Sequence, residues 1–474
     1  MLSSNVISNT LSLLTSFNYN ISLKHHINGY SMKNKKYLTL GFLSAGLAIS
    51  ILFSSALFAD TIKSNEEKEI SRLQSLAKFT KVIGIVEQYN VDNLTIEELM
   101  DKAIEGMLTN IDAHSNYLTK KDYKKLKVQT DGEFGGLGIT VGVRDGALTV
   151  IAPIEGTPAD KAGLQAKDII LKIDEVSTIG MTIDDAVSLM RGKVGTPIDL
   201  MIVREGENKP LPIHIVRGVI SIQSVYSKTI GDEVLYVRVT SFDKKVATDV
   251  SKAIKKHQKT TKGIILDLRN NPGGLLDQAV DLTDLFVDKG EIVSQKGRNK
   301  NDHKAYTASS STTITDVPIV VLINGGSASA SEIVSGALQD HKRAVLLGEK
   351  TFGKGSVQVV LPIINDEAVK LTIARYYLPS GRTIQAVGVQ PDIKVFPGIV
   401  PTKTNEFAIK EADLKKHLKE ELEKVDGNKQ NITKDSDKAE AKAKKDIITP
   451  EIMNQDIQLK TAVDILKALI ITKG

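Results

Sequence analysis

The chain has 474 residues, 41% of them hydrophobic and 25% charged, which is typical of a globular protein long enough for more than one domain. It contains no cysteine, and this excludes disulfides, thiol catalysis and cysteine-ligated zinc. The net charge of +5 is modest, aromatic residues make up only 5%, and there is no basic stripe or nucleic-acid motif. We therefore expect no nucleic-acid partner.

The N-terminal region has the order of an export signal. A short basic run, 32–36, precedes an apolar stretch, 37–58. The apolar stretch is about long enough to span a bilayer, and the bulky Leu57 stands where a cleavage site favours a small residue. Residues 1–60 are therefore interpreted as an export signal or an inner-membrane anchor of a periplasmic protein, with Met32 as an alternative start.

Four further segments follow in chain order. Residues 61–129 carry apolar residues at helical spacing, with a helix-start pattern at Thr95. Residues 130–217 switch to short strands with glycine turns and one amphipathic helix. In residues 218–400, strand runs too apolar to have one face in water alternate with helical stretches, which predicts an α/β layer structure. Residues 401–474 are predicted to form a charged linker followed by an amphipathic segment that packs on the body or on a second subunit.

Glycine motifs in the 130–217 segment resemble those of a PDZ domain. The residues Phe134-Gly-Gly-Leu-Gly-Ile139 lead into a strand, and Pro158-Ala-Asp-Lys-Ala-Gly-Leu164 precedes Asp168-Ile-Ile-Leu-Lys-Ile-Asp174. Glycines let backbone N–H groups converge on the terminal carboxylate of a peptide, and the next strand edge can pair with that peptide. The resemblance predicts peptide binding at Leu137, Gly138 and Ile139. The plainer alternative is a glycine-bearing hairpin in an unrelated β-domain.

Three serines at alternate positions, Ser327, Ser329 and Ser331, lie on a predicted turn from a buried strand, 319–324, to a helix, 328–339. Free N–H groups and the helix dipole at such a turn favour negative charge, and they would stabilise an oxyanion on a substrate carbonyl. Serines are also common helix-start residues, so the position alone selects none of them as a nucleophile.

The search for a base points to lysine. His341 falls at the end of the same predicted helix, roughly 18 Å along the axis from Ser329, and cannot reach it. The other histidines lie in no motif, although sequence alone leaves a distant one open. The stretch 348–355 nearly fits a nucleotide-binding P-loop, but Gly355 replaces the required hydroxyl residue. Lys354 remains, between glycines that would let the chain pack closely enough to bury its amine and lower its pKa, with Gln358 placed to orient it.

The serine and lysine motifs together resemble the C-terminal processing peptidases, or tail-specific proteases. The sequences Gly-Ser-Ala-Ser-Ala-Ser-Glu332 and Gly-Lys-Gly-Ser-Val-Gln358 carry the resemblance, with Asp267-Leu-Arg-Asn-Asn-Pro-Gly-Gly274. It spans roughly residues 64–395. It implies an α/β protein (α+β overall) with a layered crotonase- or ClpP-like protease core, an inserted PDZ domain and a helical N-terminal region.

The resemblance also implies roles for individual residues. Ser329 is the nucleophile, Lys354 the base and Gln358 the accessory residue. The oxyanion hole is the Ala330 amide with a glycine amide of the Pro-Gly-Gly run, for which Gly273 is the first choice.

Two further residues or motifs come from the same resemblance. Arg191 is a candidate sensor of the PDZ position, against the plain alternative of a solvated charge at a helix end. The motif Asp112-Ala-His-Ser115 departs from the family in having Ala113 in place of proline. It falls in the predicted helical region, so the departure does not put catalysis in doubt.

The sequence therefore predicts an exported serine endopeptidase without a cofactor or metal. Its PDZ domain would hold the apolar C-terminal tails of protein substrates while Ser329 cleaves upstream. A homodimer through the tail from Pro401, and an adaptor or regulator, stay open as partners. A PDZ binding module on an inactive scaffold and a crotonase-like acyl-transfer enzyme are the alternatives. The intact Ser–Lys–Gln set argues against the first, and the export signal argues against a coenzyme A substrate for the second.

Overall fold

The computed structural model describes residues 68–400 and 447–473, so the predicted export segment lies outside the described residues. Residues 68–89 form helix α1, and Ile96–Thr109 form helix α2. No helix within the described ranges is long and apolar enough to cross a membrane.

The region predicted as helical also contains a strand. Strand β1, Asn116–Leu118, precedes helix α3, Lys120–Asp131. The Asp122 N–H donates to the hydroxyl of Thr119 at the start of α3, and Gly132, at φ +67°, ends the helix in a left-handed turn.

A β-domain follows, in the stretch predicted to resemble PDZ. Its strands pair in the order β3-β4-β5-β7-β8, with β6 beside β5, while β2 and β9 pair with each other. The chain therefore enters and leaves the domain through neighbouring antiparallel strands. The elements in chain order are β2 Glu133–Gly136, β3 Ile139–Arg144, β4 Ala147–Pro153, α4 Pro158–Lys161, β5 Ile169–Ile173, β6 Val176–Ser177, α5 Ile183–Met190, β7 Pro197–Val203, β8 Leu211–Val216 and β9 Gly218–Ser221.

The catalytic-type motifs lie in the α/β portion that follows. Its elements are β10 Val225–Ile230, β11 Val234–Val239, α6 Val246–His257, β12 Gly263–Asp267, α7 Leu276–Asp284, β13 Lys289–Gly297, β14 Lys304–Ser309, β15 Ile319–Ile323, α8 Ala330–Asp340, β16 Val345–Gly348, β17 Ser356–Pro362, β18 Ala368–Tyr377 and β19 Ile393–Lys394. These bounds confirm the buried strands and the α8 helix that the sequence predicts.

Two sheets organise this portion. One has the order β10-β11-β12-β15-β16-β19 and is parallel except between β10 and β11. The other has the order β1-β18-β13-β14, with β17 also pairing with β18. The mixed α/β fold class is therefore confirmed. Because β1 joins the second sheet, the segment before the β-domain contributes directly to the α/β portion.

Alternate residues of the six-stranded sheet face two separate cores. On one face, Ile264 and Val321 pack in a cluster with residues of α6, α7 and α8. On the other, Ile265 and Val320 pack against the C-terminal segment. Burial on both faces explains the continuous apolar runs in the central strands β12 and β15.

The C-terminal segment supplies the second face of this sheet. Its helices are α9, Pro450–Asn454, and α10, Ile457–Lys473. Leu459, Val463 and Leu466 of α10 are buried there. Of the two placements that the sequence allowed for this segment, packing on the body is the one observed, while the predicted charged linker lies outside the described residues.

Candidate active site

Ser329 occupies the turn from β15 to α8 in a strained backbone conformation. Its φ is +54° and its ψ is −111°, a combination that costs a non-glycine residue about 1–3 kcal/mol. The Ser329 side chain is only 9% exposed. Such strain persists only where the surroundings enforce it, and it is concentrated at functional sites.

The two flanking serines have structural partners. The Ser327 hydroxyl donates to the Leu268 carbonyl and accepts the Asn324 N–H, and these two bonds fix the turn. The Ser331 hydroxyl, in the first turn of α8, donates to the carbonyl of Asn271. Both are fully buried. Of the three serines, Ser329 is the most exposed.

A glycine loop lies directly against this turn. A Cβ atom on Gly273 would lie 2.9 Å from the Ser329 Cβ and 3.0 Å from the Ala330 nitrogen. Gly273 also has a φ of +101°. Only glycine fits here, because a side chain would push the loop away from the serine.

Two backbone amides at this contact have no hydrogen-bond partner among the described residues, those of Ala330 and Gly274. Ala330 is the first residue of α8, where N–H groups are free and the helix dipole is positive. The Gly273 N–H instead donates to Asn271 Oδ1 at 2.9 Å. The assignment of Gly273 to the oxyanion hole therefore stays a prediction, and Gly274 offers the amide that is already free.

Glu332 connects the serine turn to the lysine loop. Its side chain is fully buried. Atom Oε2 accepts the N–H groups of Ser329 and Lys354, each at 2.8 Å, so the two backbone nitrogens lie within twice that distance of each other. Atom Oε1 accepts the Gly353 N–H at 2.7 Å and the Thr351 hydroxyl. The sequence reasoning assigned Glu332 no role, although its position three residues after Ser329 is that of a capping box.

The environment of Lys354 lowers the pKa of its amine. Burial is the largest cause, the positive charge of Lys370 adds to it, and the carboxylate of Glu332 opposes it. The neighbouring glycines permit this burial: a Cβ on Gly355 would lie 2.6 Å from the Gln385 nitrogen. A lysine whose pKa is lowered can act as a general base near neutral pH.

Gln358 is held with its amide oxygen free. Its Nε2 donates to the Ser356 hydroxyl at 2.8 Å and to the Thr372 hydroxyl at 3.3 Å. Within the described part of the chain, Oε1 has no hydrogen bond. A carbonyl oxygen is the end of the amide that an ammonium group binds, so its orientation is compatible with the predicted role.

The prediction that Asp112 to Ser115 belong to the helical region was wrong. These residues follow α2 as a loop, and the loop binds β18. The Asp112 carboxylate accepts the N–H groups of His114 and Ser115 and the hydroxyl of Thr372, while the Ser115 hydroxyl accepts the Thr372 N–H. Because Thr372 also binds Gln358, the loop supports the accessory residue. Sequence spacing could not reveal this pairing across more than 250 residues.

Two histidines are informative. His341 caps the far end of α8 and binds the Glu291 carbonyl through Nε2, in agreement with its exclusion as a base. The pKa of His114 is lowered, first by burial and then by the charge of Lys354. His114 therefore belongs to the surroundings of the lysine, although no sequence motif indicates this.

The β-domain presents the features that peptide binding requires. Strand β3 is at the edge of its sheet and lies beside helix α5. Before it, the carbonyl of Leu137 accepts the Ala159 N–H and the carbonyl of Gly138 accepts the Ile154 N–H, which fix the loop. An edge strand next to a helix leaves a groove in which a peptide can add as a further strand. Leu137 and Gly138 immediately precede β3 and Ile139 begins it, and their role in peptide binding stays a prediction.

Arg191 is not a simple solvated charge. It follows α5, and its guanidinium stacks over the Phe134 ring at 4.2 Å from the centroid. Its Nε atom is buried and has no hydrogen-bond partner within the residues described. Phe134 lies on β2, so the contact joins the helix to the strand through which the chain enters the domain. The sensor role itself stays a prediction.

No three histidine, aspartate or glutamate side chains in residues 68–400 and 447–473 are grouped to hold a metal ion. What the site brings together is a strained serine, free backbone amides, a buried lysine and a free amide oxygen. This set can perform acyl transfer without a cofactor.

Comparison with known proteins agrees with this chemistry. Residues 233–395 match the model of peptidase family S41, and residues 149–204 match a PDZ domain. The carboxy-terminal-processing protease of Bartonella bacilliformis is 41% identical over 432 residues, which is 90% of this chain and 95% of the relative. The carboxy-terminal processing protease CtpA of Bacillus subtilis is 36% identical over 67% of this chain and 69% of its own length.

Proposed function

Because this chain belongs to the carboxy-terminal processing proteases of peptidase family S41, which are serine-type enzymes with a PDZ domain, we propose that Ser329 and Lys354 form its catalytic dyad. The observation that carries the proposal is the buried carboxylate of Glu332, which binds the backbone of both residues through a single oxygen. The family assignment favours a peptidase over the acyl-transfer and scaffold alternatives.

The first step is attack on the substrate carbonyl. Neutral Lys354 takes the proton of the Ser329 hydroxyl as the oxygen forms a bond to the carbonyl carbon. The negative charge that develops on the carbonyl oxygen is stabilised by the Ala330 amide and by Gly273 or Gly274. The lowered pKa of Lys354 favours the neutral amine that this step needs.

The second step releases the product and restores the enzyme. Protonated Lys354 gives its proton to the leaving amine, and the substrate acyl group remains on Ser329 as an ester. Lys354 then takes a proton from water as the water oxygen attacks the ester carbonyl, and it returns that proton to the Ser329 oxygen as the ester bond breaks and the acid product leaves. Gln358 Oε1 holds the amine in place through both steps.

The β-domain delivers the substrate. An extended C-terminal tail would add to the edge of β3, its carboxylate bound by the loop at Leu137, Gly138 and Ile139 and its apolar side chains placed against α5. Partly exposed apolar side chains on both elements, Val143 and Ile183, support an apolar preference. Substrates are therefore proteins with accessible apolar C-termini.

Export completes the proposal. The basic run and apolar stretch before residue 60 support secretion to the periplasm, with the segment either removed or kept as an inner-membrane anchor. Cell fractionation of the full chain, with and without residues 32–58, tests this part. Recovery of the full chain with cytoplasmic markers would contradict it.

The catalytic proposal is tested with an unfolded protein that ends in an apolar tail. Ser329→Ala and Lys354→Ala should each reduce its degradation by about 10³-fold or more, while circular dichroism and tail-peptide binding remain unchanged. Ser75→Ala is the matched control and should retain activity, because Ser75 is an exposed residue of α1 whose hydroxyl donates to the Ser71 carbonyl one turn earlier. Wild-type turnover by Ser329→Ala would overturn the assignment.

A further inference from the structure

One arginine joins the C-terminal segment to the loop that approaches Ser329. Arg269 Nη2 lies 2.7 Å from Asp267 and 2.8 Å from Asp456, and Nη1 lies 2.9 Å from the Gln458 side-chain oxygen. The Arg269 side chain is 11% exposed and that of Asp267 is fully buried. Charges removed from water in this way require partners, so each contact matters.

The two carboxylates hold this guanidinium from different parts of the chain. Asp267 ends β12, only two residues before Arg269, so its contact is local. Asp456 comes from the C-terminal segment, which packs on the face of the six-stranded sheet opposite to α6, α7 and α8. Its contact therefore fixes the guanidinium relative to a separate element.

Asp456 also begins helix α10. Its Oδ1 accepts the Leu459 N–H at 3.0 Å, which is the hydrogen bond of a helix N-cap. Burial alone would raise the pKa of the Asp456 carboxyl, but the hydrogen bonds and charge of Arg269 lower it on balance. Gln458, two residues later, donates to the Val395 carbonyl while it accepts from Arg269. The start of α10 is thus tied to the arginine by two side chains.

The loop that starts at Arg269 has its other end packed against Ser329. We call residues 269–274 the oxyanion loop. Asn271 holds its middle: the Asn271 carbonyl accepts the Ala328 N–H and the Ser331 hydroxyl. Gly273 then lies against Ser329 and Ala330. A shift at Arg269 therefore reaches the oxyanion amides within four residues of chain.

We propose that the C-terminal segment 447–473 positions the oxyanion loop for catalysis through the ion pair between Asp456 and Arg269. The proposal rests on the proposed function, because it concerns the loop that would stabilise the oxyanion. Asp456 acts as a positioning residue that touches no substrate. The segment then has two roles: it buries one face of the sheet, and it positions the loop that stabilises the oxyanion.

The test is Asp456→Asn in the full chain, with Leu466→Ala as the matched control. Asparagine is as good an N-cap as aspartate, so the substitution removes the charge of the ion pair and leaves the start of α10 intact. Leu466 belongs to the same C-terminal segment and is buried against Gly263 of β12. It lies ten residues after Asp456, so it is far along α10 from the contact with Arg269. Its truncation weakens packing of the segment and keeps the ion pair.

Three quantities are measured for each variant: kcat and KM with a tail-bearing peptide, affinity for a non-cleavable tail peptide, and Tm. Asp456→Asn should lower kcat about tenfold to hundredfold with KM and peptide affinity unchanged, since small misplacements of catalytic groups have effects of that size. Leu466→Ala should lower Tm more than Asp456→Asn does and retain kcat within about twofold when assayed well below its Tm.

Two results overturn the proposal: unchanged kcat in Asp456→Asn, or an equal loss of kcat in Leu466→Ala, which would reduce the segment to a stabilising role. Ser329→Ala is run alongside. If it retains activity, the proposed function fails; if it is inactive while Asp456→Asn is unaffected, only the positioning proposal fails.

Discussion

The backbone N–H groups of Ser329 and Lys354 donate to the same atom, Oε2 of Glu332, each at 2.8 Å. The two residues are on different elements, the turn before α8 and the loop before β17. A single buried carboxylate thus sets the spacing between them, and the other oxygen holds Gly353 and Thr351 in the same loop.

Glu332→Gln should therefore impair both folding and catalysis. Glutamine keeps one acceptor oxygen but turns an NH₂ group toward N–H donors, which leaves buried groups unsatisfied. We expect a loss of about 1–3 kcal/mol in the free energy of unfolding and a fall in kcat of about 100-fold, measured by denaturation and peptide hydrolysis. Glu291→Gln, a partly exposed glutamate on β13, is the control and should change neither. Wild-type kcat in Glu332→Gln would show that the shared acceptor is unimportant.

Lys370→Met should shift the pH dependence of activity upward. The positive charge of Lys370 lowers the pKa of Lys354, and its removal lets that pKa rise. Since the neutral amine is the active form, the rising limb of kcat/KM against pH should move to higher pH. Lys209→Met, at an exposed position between β7 and β8, should leave the limb in place. If the rising limb does not move in Lys370→Met, the charge of Lys370 does not influence the group whose deprotonation activates the enzyme.

Lys354→Met should stabilise the protein in a pH-dependent way. A lowered pKa in the folded state means that the fold disfavours the charged amine, so stability from this group increases as pH rises from the folded-state pKa toward the ordinary lysine value. Methionine removes that penalty. Its gain in Tm should be largest at and below the folded-state pKa of Lys354, and should shrink as pH rises toward the ordinary lysine pKa. An equal gain at every pH would indicate a packing effect alone.

Gly138→Ala should weaken tail binding, with Gly146→Ala as its matched control. Both glycines have φ near +80°, where an alanine costs about 1–2 kcal/mol. A Cβ on Gly138 would lie 2.3 Å from the Thr157 Cβ, whereas one on Gly146 meets nothing within 4 Å. We expect a tail-peptide Kd about tenfold higher only in Gly138→Ala, measured by fluorescence polarisation. Equal affinities in the two variants would place the peptide elsewhere.

The sequence predicted much of this architecture for identifiable reasons. Runs such as 263–266 are apolar because both faces of the strand are buried, and the predicted helix at 328–339 matches α8 within about two residues. Local patterns of this kind depend on neighbouring residues, so the sequence displays them directly.

What the sequence could not reveal depends on contacts between distant residues. Thr372 and Ser115 are far apart in the chain, and only the pairing of β1 with β18 brings the Asp112 loop to Gln358. The hydrogen bond from the Gly273 amide to Asn271 depends on a left-handed turn that composition does not specify. Likewise, the C-terminal segment is placed by packing on the second apolar face of the six-stranded sheet, which is a contact between residues distant in the chain.

The central claim is that Ser329 is the nucleophile and Lys354 its base, and covalent labelling tests it most directly. A serine-directed phosphonate is incubated with the wild type, Ser329→Ala and Lys354→Ala, and the adduct is located by peptide mass spectrometry. We expect one adduct, on Ser329, formed at a rate that rises with pH through the lowered pKa of Lys354 and that falls by about 10³-fold in Lys354→Ala. An adduct on another serine, or labelling of Ser329 at an unchanged rate without Lys354, would contradict the account.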